Sequence, residues 1–159
     1  QKINTGDGSE VTTGNWPVSS IFNEGVRALA VDSNGNVYAG TRDNIINKID
    51  PSGNETWAFN GHTGNLRSIS IDNVNGYMYS GGLDDVVRKV DISNGNEVTS
   101  GNWPFTEFTA GIEKLVVGPD QYVYAISSAN EMKKIDSTGQ VMWDSLHEDT
   151  RNISVKLIY

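Results

Sequence analysis

Cysteine is absent from the 159-residue chain, which excludes a disulfide framework, a thiolate metal site and a cysteine nucleophile. Histidine occurs only at His62 and His147, 85 residues apart and without the spacing of a metal-ligand pair, so both read as solvated loop residues. Basic residues are outnumbered, 12 against 20 acidic, and the net charge of -8 disfavours a nucleic-acid or anionic-membrane surface. No stretch approaches the roughly 18 apolar residues of a membrane span. The opening Gln1-Lys2-Ile3-Asn4 is not a signal peptide, and the lack of an initiator Met points to a processed or excised chain. Proline is scarce at 4, whereas Gly and Asn, 17 each, fill more than a fifth of the chain and mark frequent tight turns. The modest apolar share of 36% leans on Val, Ile, Tyr, Phe and Trp, which favours short strands in an all-β domain.

What the sequence does contain is a repeat. Lys2, Lys48, Lys89 and Lys134 each open a Lys-(Ile/Val)-(Asp/Asn) step, at intervals of 46, 41 and 45. One tryptophan follows in each segment, Trp16, Trp57, Trp103 and Trp143, and Tyr38, Tyr79 and Tyr124 keep the same beat. Between the markers the pattern alternates with period two and is punctuated by turns. It predicts strands over 26–32, 36–40 and 45–50 with a fourth through Trp57 and Phe59. The next unit predicts 66–72, 76–80, 86–91 and 97–100, and the third 112–117, 122–127, 132–136 and 141–143. Four strands in about 43 residues is the length of a propeller blade. A second repeat runs over alternate units: residues 10–17 match residues 97–104 at seven of eight positions.

These motifs resemble the propeller repeats of the quinoprotein-dehydrogenase-like (PQQ-like) group, through Val37-Tyr38-Ala39-Gly40, Arg42-Asp43-Asn44, Lys48-Ile49-Asp50 and Gly53-Asn54-Glu55-Thr56-Trp57. The segment Ala28 to Tyr38 is also similar to the NHL-type propeller repeat. Both resemblances imply a β-propeller of four-stranded antiparallel blades, a fold that serves enzymes, scaffolds and binding modules alike. The adjacent cysteine pair of the alcohol-oxidising quinoproteins has no counterpart here, and about three and a half blades cannot enclose a central cofactor alone.

The tryptophans could form a stacking platform, but one aromatic at a fixed place in every repeat fits packing between blades better. Asp32 to Asn36, Asp72 to Gly76 and Asp136 to Gly139 offer oxygen ligands, and calcium is the one metal considered. None completes a calcium loop with a terminal bidentate Glu, and hairpin turns are the plainer reading. No catalytic residue and no cofactor is predicted. No serine lies in a nucleophile-elbow motif, although a Ser–His–Asp site is left open. Asp84-Asp85 is the densest carboxylate pair, with side chains expected to point apart. Arg27 and Arg67 share one strand position in successive units, and Arg42 and Asp84 fall in equivalent hairpins. Together with Asp85 they are the candidate partner-facing loop residues.

The expected architecture is an incomplete propeller arc with blades at 18–59, 60–104 and 105–145. Residues 1–17 would be the outer strands of a preceding blade, and residues 146–159 the inner strand or strands of a following one. Open strand edges invite pairing, so the rest of a longer polypeptide or other subunits should complete the ring. The leading functional expectation is a non-catalytic module for protein interaction or assembly, binding a protein or glycan, in an extracellular, envelope or virion setting. The rivals are a propeller enzyme with its site on the axis of a completed ring and a carbohydrate-binding propeller.

Overall fold

The computed structural model describes residues 3–16, 18, 22 and 24–145, and its regular structure is entirely β. The first sheet takes β1 (Val26–Val31), β2 (Val37–Thr41), β3 (Ile46–Ile49) and β4 (Glu55–Phe59) in sequence order. The second contains β5 (Leu66–Asp72), β6 (Tyr77–Gly82) and β7 (Val87–Asp91), and the third β8 (Ile112–Val117), β9 (Val123–Ser127), β10 (Met132–Ile135) and β11 (Val141–Ser145). All neighbouring strands are antiparallel.

Turn chemistry explains these short elements. Asp32 Oδ1 accepts the amides of Asn34 and Asn36, both at 2.9 Å, and Asp50 Oδ1 does the same for Ser52 at 2.8 Å and Asn54 at 2.9 Å. Such a carboxylate closes the hairpin on its own backbone. The β2–β3 turn of the first unit and its equivalents each place one residue at positive φ: Asn44 at 70°, Asp85 at 62° and Asn130 at 61°. Asn and Asp tolerate that region better than other side chains.

The second sheet departs from expectation. Residues 97–100 form no fourth strand; β7 is met only by isolated bridges, Val90 to Glu97 and Val87 to Phe105. Between the bridges the chain leaves the sheet to reach the third unit, where the Asn102 amide donates to the Thr138 carbonyl at 2.8 Å. Pro104 has no amide to donate to a continuing ladder.

The sheets stack face to face in chain order. One apolar layer joins the first two through Tyr38, Ile46, Phe59, Leu66, Met78 and Val90. A second joins the next two through Tyr79, Val87, Trp103, Phe105, Ile112 and Ile135. The approach of the strands is tight at Gly81, where a Cβ would sit 2.6 Å from Ile112. On the innermost strands, Ser68 and Ser70 of β5 accept the amides of Leu115 and Val117, each at 3.0 Å, so the edge of β8 is tied to its neighbour. At the N-terminal end, residues 3–10 make a hairpin with an antiparallel bridge from Ile3 to Glu10. The expected elements at 146–159, and His147, lie outside the described residues.

Candidate functional site

The repeat markers turn out to be a latch. In the first and third units the lysine of the third strand and the tryptophan of the fourth lie opposite one another, as Lys48 with Trp57 and Lys134 with Trp143, whereas Trp103 follows β7 outside any strand. In the first two units both side chains reach the turn of the following unit. Trp57 Nε1 donates to the Ile92 carbonyl at 3.2 Å and Lys48 Nζ to the same oxygen at 2.7 Å. Trp103 Nε1 and Lys89 Nζ donate to the Ser137 carbonyl at 3.0 and 2.8 Å. Trp16 Nε1 donates to the Pro51 carbonyl at 3.0 Å. Residues 15–16 and 102–103 of the near-identical segments therefore do the same work: the Asn15 amide bonds Ser52 as that of Asn102 bonds Thr138. Burial pulls the Lys89 ammonium below the usual lysine value, with Asp72 and Asp136 acting against it. Its Nζ also lies 4.0 Å from the centre of the Tyr77 ring. The tyrosine markers line the same layers, Tyr38 against Trp57 and Tyr79 against Trp103.

Inside the second unit a catalytic-looking array is present. His62 Nδ1 lies 3.0 Å from Asp84 Oδ2, and His62 Nε2 lies 2.8 Å from Ser80 Oγ. A carboxylate only accepts, so Nδ1 carries the proton, and in the neutral ring Nε2 accepts from the Ser80 hydroxyl. Asp84 also accepts the Thr63 amide at 3.1 Å and faces Arg88 at 3.9 Å. Burial works to raise the Asp84 carboxyl, yet the His62 hydrogen bond and charge, with Thr63 and Arg88, hold it below the usual carboxylate range. The connectivity is that of a nucleophile, base and orienting acid. Access is not: Ser80 and the His62 side chain are both 0% exposed. A substrate carbonyl has no path to Ser80 Oγ, and the array acts as a sealed bridge tying the entry loop, β6 and the β6–β7 turn together.

Two expectations are corrected here. His62 is a buried, fully bonded side chain and not a solvated loop residue, because the loop before β5 folds under the sheet and sets the ring edge-on to Phe59. Asp84 does not face a partner, since its side chain is only 4% exposed and turned inward to His62. The repeat itself carried the missed signal. His62 stands four residues before its inner strand, as Phe22 and Phe108 do before theirs, and a histidine in an apolar position needs polar partners.

The remaining candidates lie on the rims. Arg27 and Arg67 are exposed, each in the bulge of its inner strand, and Glu113 occupies the corresponding bulge of β8. A bulge leaves one residue out of the ladder and turns its side chain outward. In the β2–β3-type turns Arg42 is exposed and Asp85 half-buried. The turn carboxylates considered for calcium are engaged locally; Asp72 accepts the Val74 and Asn75 amides at 3.0 Å, and Asp136 those of Thr138 and Gln140 at 2.8 and 2.9 Å. Among the described residues no three His, Asp or Glu side chains converge on a metal position, and no helix is long and apolar enough to cross a membrane.

No protein-family model and no curated protein matches the sequence. Solved structures do match the fold. "Structure of U3-55K" aligns with a TM-score of 0.73 at 15% identity, covering 80% of this chain and 41% of that one. "Crystal structure of RRP9 WD40 repeats" aligns at 0.72 and 14% identity, covering 77% and 39%. The fold is a β-propeller arc. This chain spans about two fifths of the length of those structures, and at such identities the likeness concerns architecture alone.

Proposed function

We propose that this propeller arc is a non-catalytic module that binds a protein partner through the rim of its inner strands. The observation that carries the reading is the bulge row. Three consecutive inner strands place Arg27, Arg67 and Glu113 at one repeated bulge position, the two arginines exposed and Glu113 half-buried, while the lysine, tryptophan and histidine side chains behind them serve the blades themselves. Charge varied over a repeated frame is how such a surface acquires specificity. A protein partner suits the two arginines, whose planar forks pair with carboxylates. The acidic, cysteine-free, Asn- and Gly-rich composition supports an extracellular, envelope or virion setting and a partner other than nucleic acid. The blade motifs of the first unit support a PQQ-like or NHL-type ancestry without the enzymatic site.

The test has two arms. Proximity cross-linking with the double variant Arg27→Glu, Arg67→Glu is expected to lose the partners captured by the unchanged protein while its unfolding midpoint stays put. A fluorophosphonate probe is expected to leave the folded chain unlabelled. Labelling at Ser80, or partner capture indifferent to both reversals, would overturn the reading.

A further inference from the structure

The latch residues recur once more at the last described blade, and there, among the described residues, they close on no neighbouring turn. Lys134 and Trp143 face each other across β10 and β11 as Lys48 and Trp57 do across β3 and β4, but Lys134 Nζ falls back on Asp120 of its own blade at 3.0 Å. Trp143 is 43% exposed, against 4% for Trp103 in the latched position. The apolar face beside them is open as well. Val116 and Met132 are exposed, although Ile46 and Val87, at the place of Met132 in the earlier units, are completely buried under the next sheet. A groove of about 290 Å³ runs over this face between Val116, Tyr124, Ile126 and Met132.

The other end of the arc carries the complementary part. The turn at Asn4–Ser9 is closed by the Asn4 amide on the Ser9 carbonyl and the Gly8 amide on the Asn4 carbonyl, both at 2.9 Å. The latched turn at Asp91–Asn96 has the same two bonds, from Asp91 to Asn96 and from Gly95 to Asp91, also at 2.9 Å. Gly8 and Gly95 share positive φ, 71° and 78°. In that turn the carbonyl taking the latch belongs to Ile92, so its counterpart is Thr5. The residue just before the turn is Ile3, exposed, where Val90 and Ile135 are buried between blades.

We propose that a second copy of this chain docks head to tail, its Asn4–Ser9 hairpin seated on the open face of β10 and β11. Trp143 Nε1 and Lys134 Nζ of one copy donate to the Thr5 carbonyl of the other, and Ile3 of the second copy covers Met132 and Tyr124. The chain's own hairpin is held at the far end by the bonds from Asn15 to Ser52 and Trp16 to Pro51. Ile126 further selects the occupant. It stands where the first two units have Gly40 and Gly81, so an inner strand approaching as closely as Ile112 approaches Gly81 has no room there. The hairpin docks on the outer strands, away from it. With a net charge of -8 on each copy, the contact is apolar and hydrogen-bonded against mutual repulsion, so screening by salt should tighten it.

Sedimentation velocity on the full chain tests this through complementation. The unchanged chain is expected to self-associate below about 100 µM, more tightly at higher salt. Trp143→Glu and Ile3→Glu should each weaken association by about tenfold or more, as loss of a buried anchor does. Both residues are exposed in the single copy, and circular dichroism checks that each variant keeps its strands. An equimolar mixture of the two variants should form dimers again, since each retains the end the other lacks. A chain that stays monomeric, association untouched by either change, or a mixture that fails to recover would each overturn the proposal.

Discussion

The second and third blades fill one structural position in opposite ways. In the second, His62, Ser80, Asp84 and Arg88 form a buried polar chain. In the third, the same places hold Phe108, Ala125, Ala129 and Lys133, as the register of β6 with β7 and of β9 with β10 shows. Phe108 enters the apolar layer directly, with Lys133 Nζ 5.5 Å from its ring centre. Both blades thus bring the entry loop against the second strand, one by polar bonds and the other by apolar packing. The polar version is more exacting, because every member must be bonded once water is excluded.

Removing His62 should be the most damaging change. His62→Ala strands the Asp84 carboxylate and the Ser80 hydroxyl in the interior and should cost about 3 kcal/mol in urea unfolding. Acid comes next. The folded Asp84 carboxyl sits below its unfolded value, so its contribution is complete above about pH 4 and is lost as pH falls through the lower folded value. A variant lacking Asp84 should therefore lose less stability than the unchanged chain on acidification over that window, as followed by intrinsic fluorescence. Trp103→Phe keeps most of the ring but deletes the donor to Ser137, and a loss of about 1 kcal/mol is expected. Tyr79→Phe should have the smallest effect. Its hydroxyl is buried without a hydrogen-bond partner among the described residues, whereas the Tyr38 hydroxyl donates to Asp32 at 3.0 Å. Tyr38→Phe should consequently be the worse of the two in thermal unfolding.

Much of the frame was legible in the chain because it is local. Asp-x-x-Gly turns, period-two runs and the lysine and tryptophan spacing locate strands and blades without reference to distant residues. The third sheet follows that reading to within a residue or two at most ends. The fourth strand at 97–100 was misread because Glu97 and Val98 alternate as a strand should, while the bonds that decide their path run from Asn102 and Trp103 into the next blade. His62 and Asp84 were misread for a related reason: 22 residues separate them, and no periodicity within one blade shows that a loop folds underneath it. The latch lay between the two cases. Its residues stood out as markers, but their role depends on a neighbour's turn.

As a structural pin, the Ser80–His62–Asp84 array should be exchangeable for the apolar one of the third blade. The most direct measurement is urea unfolding of the triple variant His62→Phe, Ser80→Ala, Asp84→Ala beside His62→Ala. The account predicts that the triple variant unfolds within about 1 kcal/mol of the unchanged chain, as a buried polar set replaced by apolar groups of similar shape does. A triple variant as unstable as His62→Ala would contradict it.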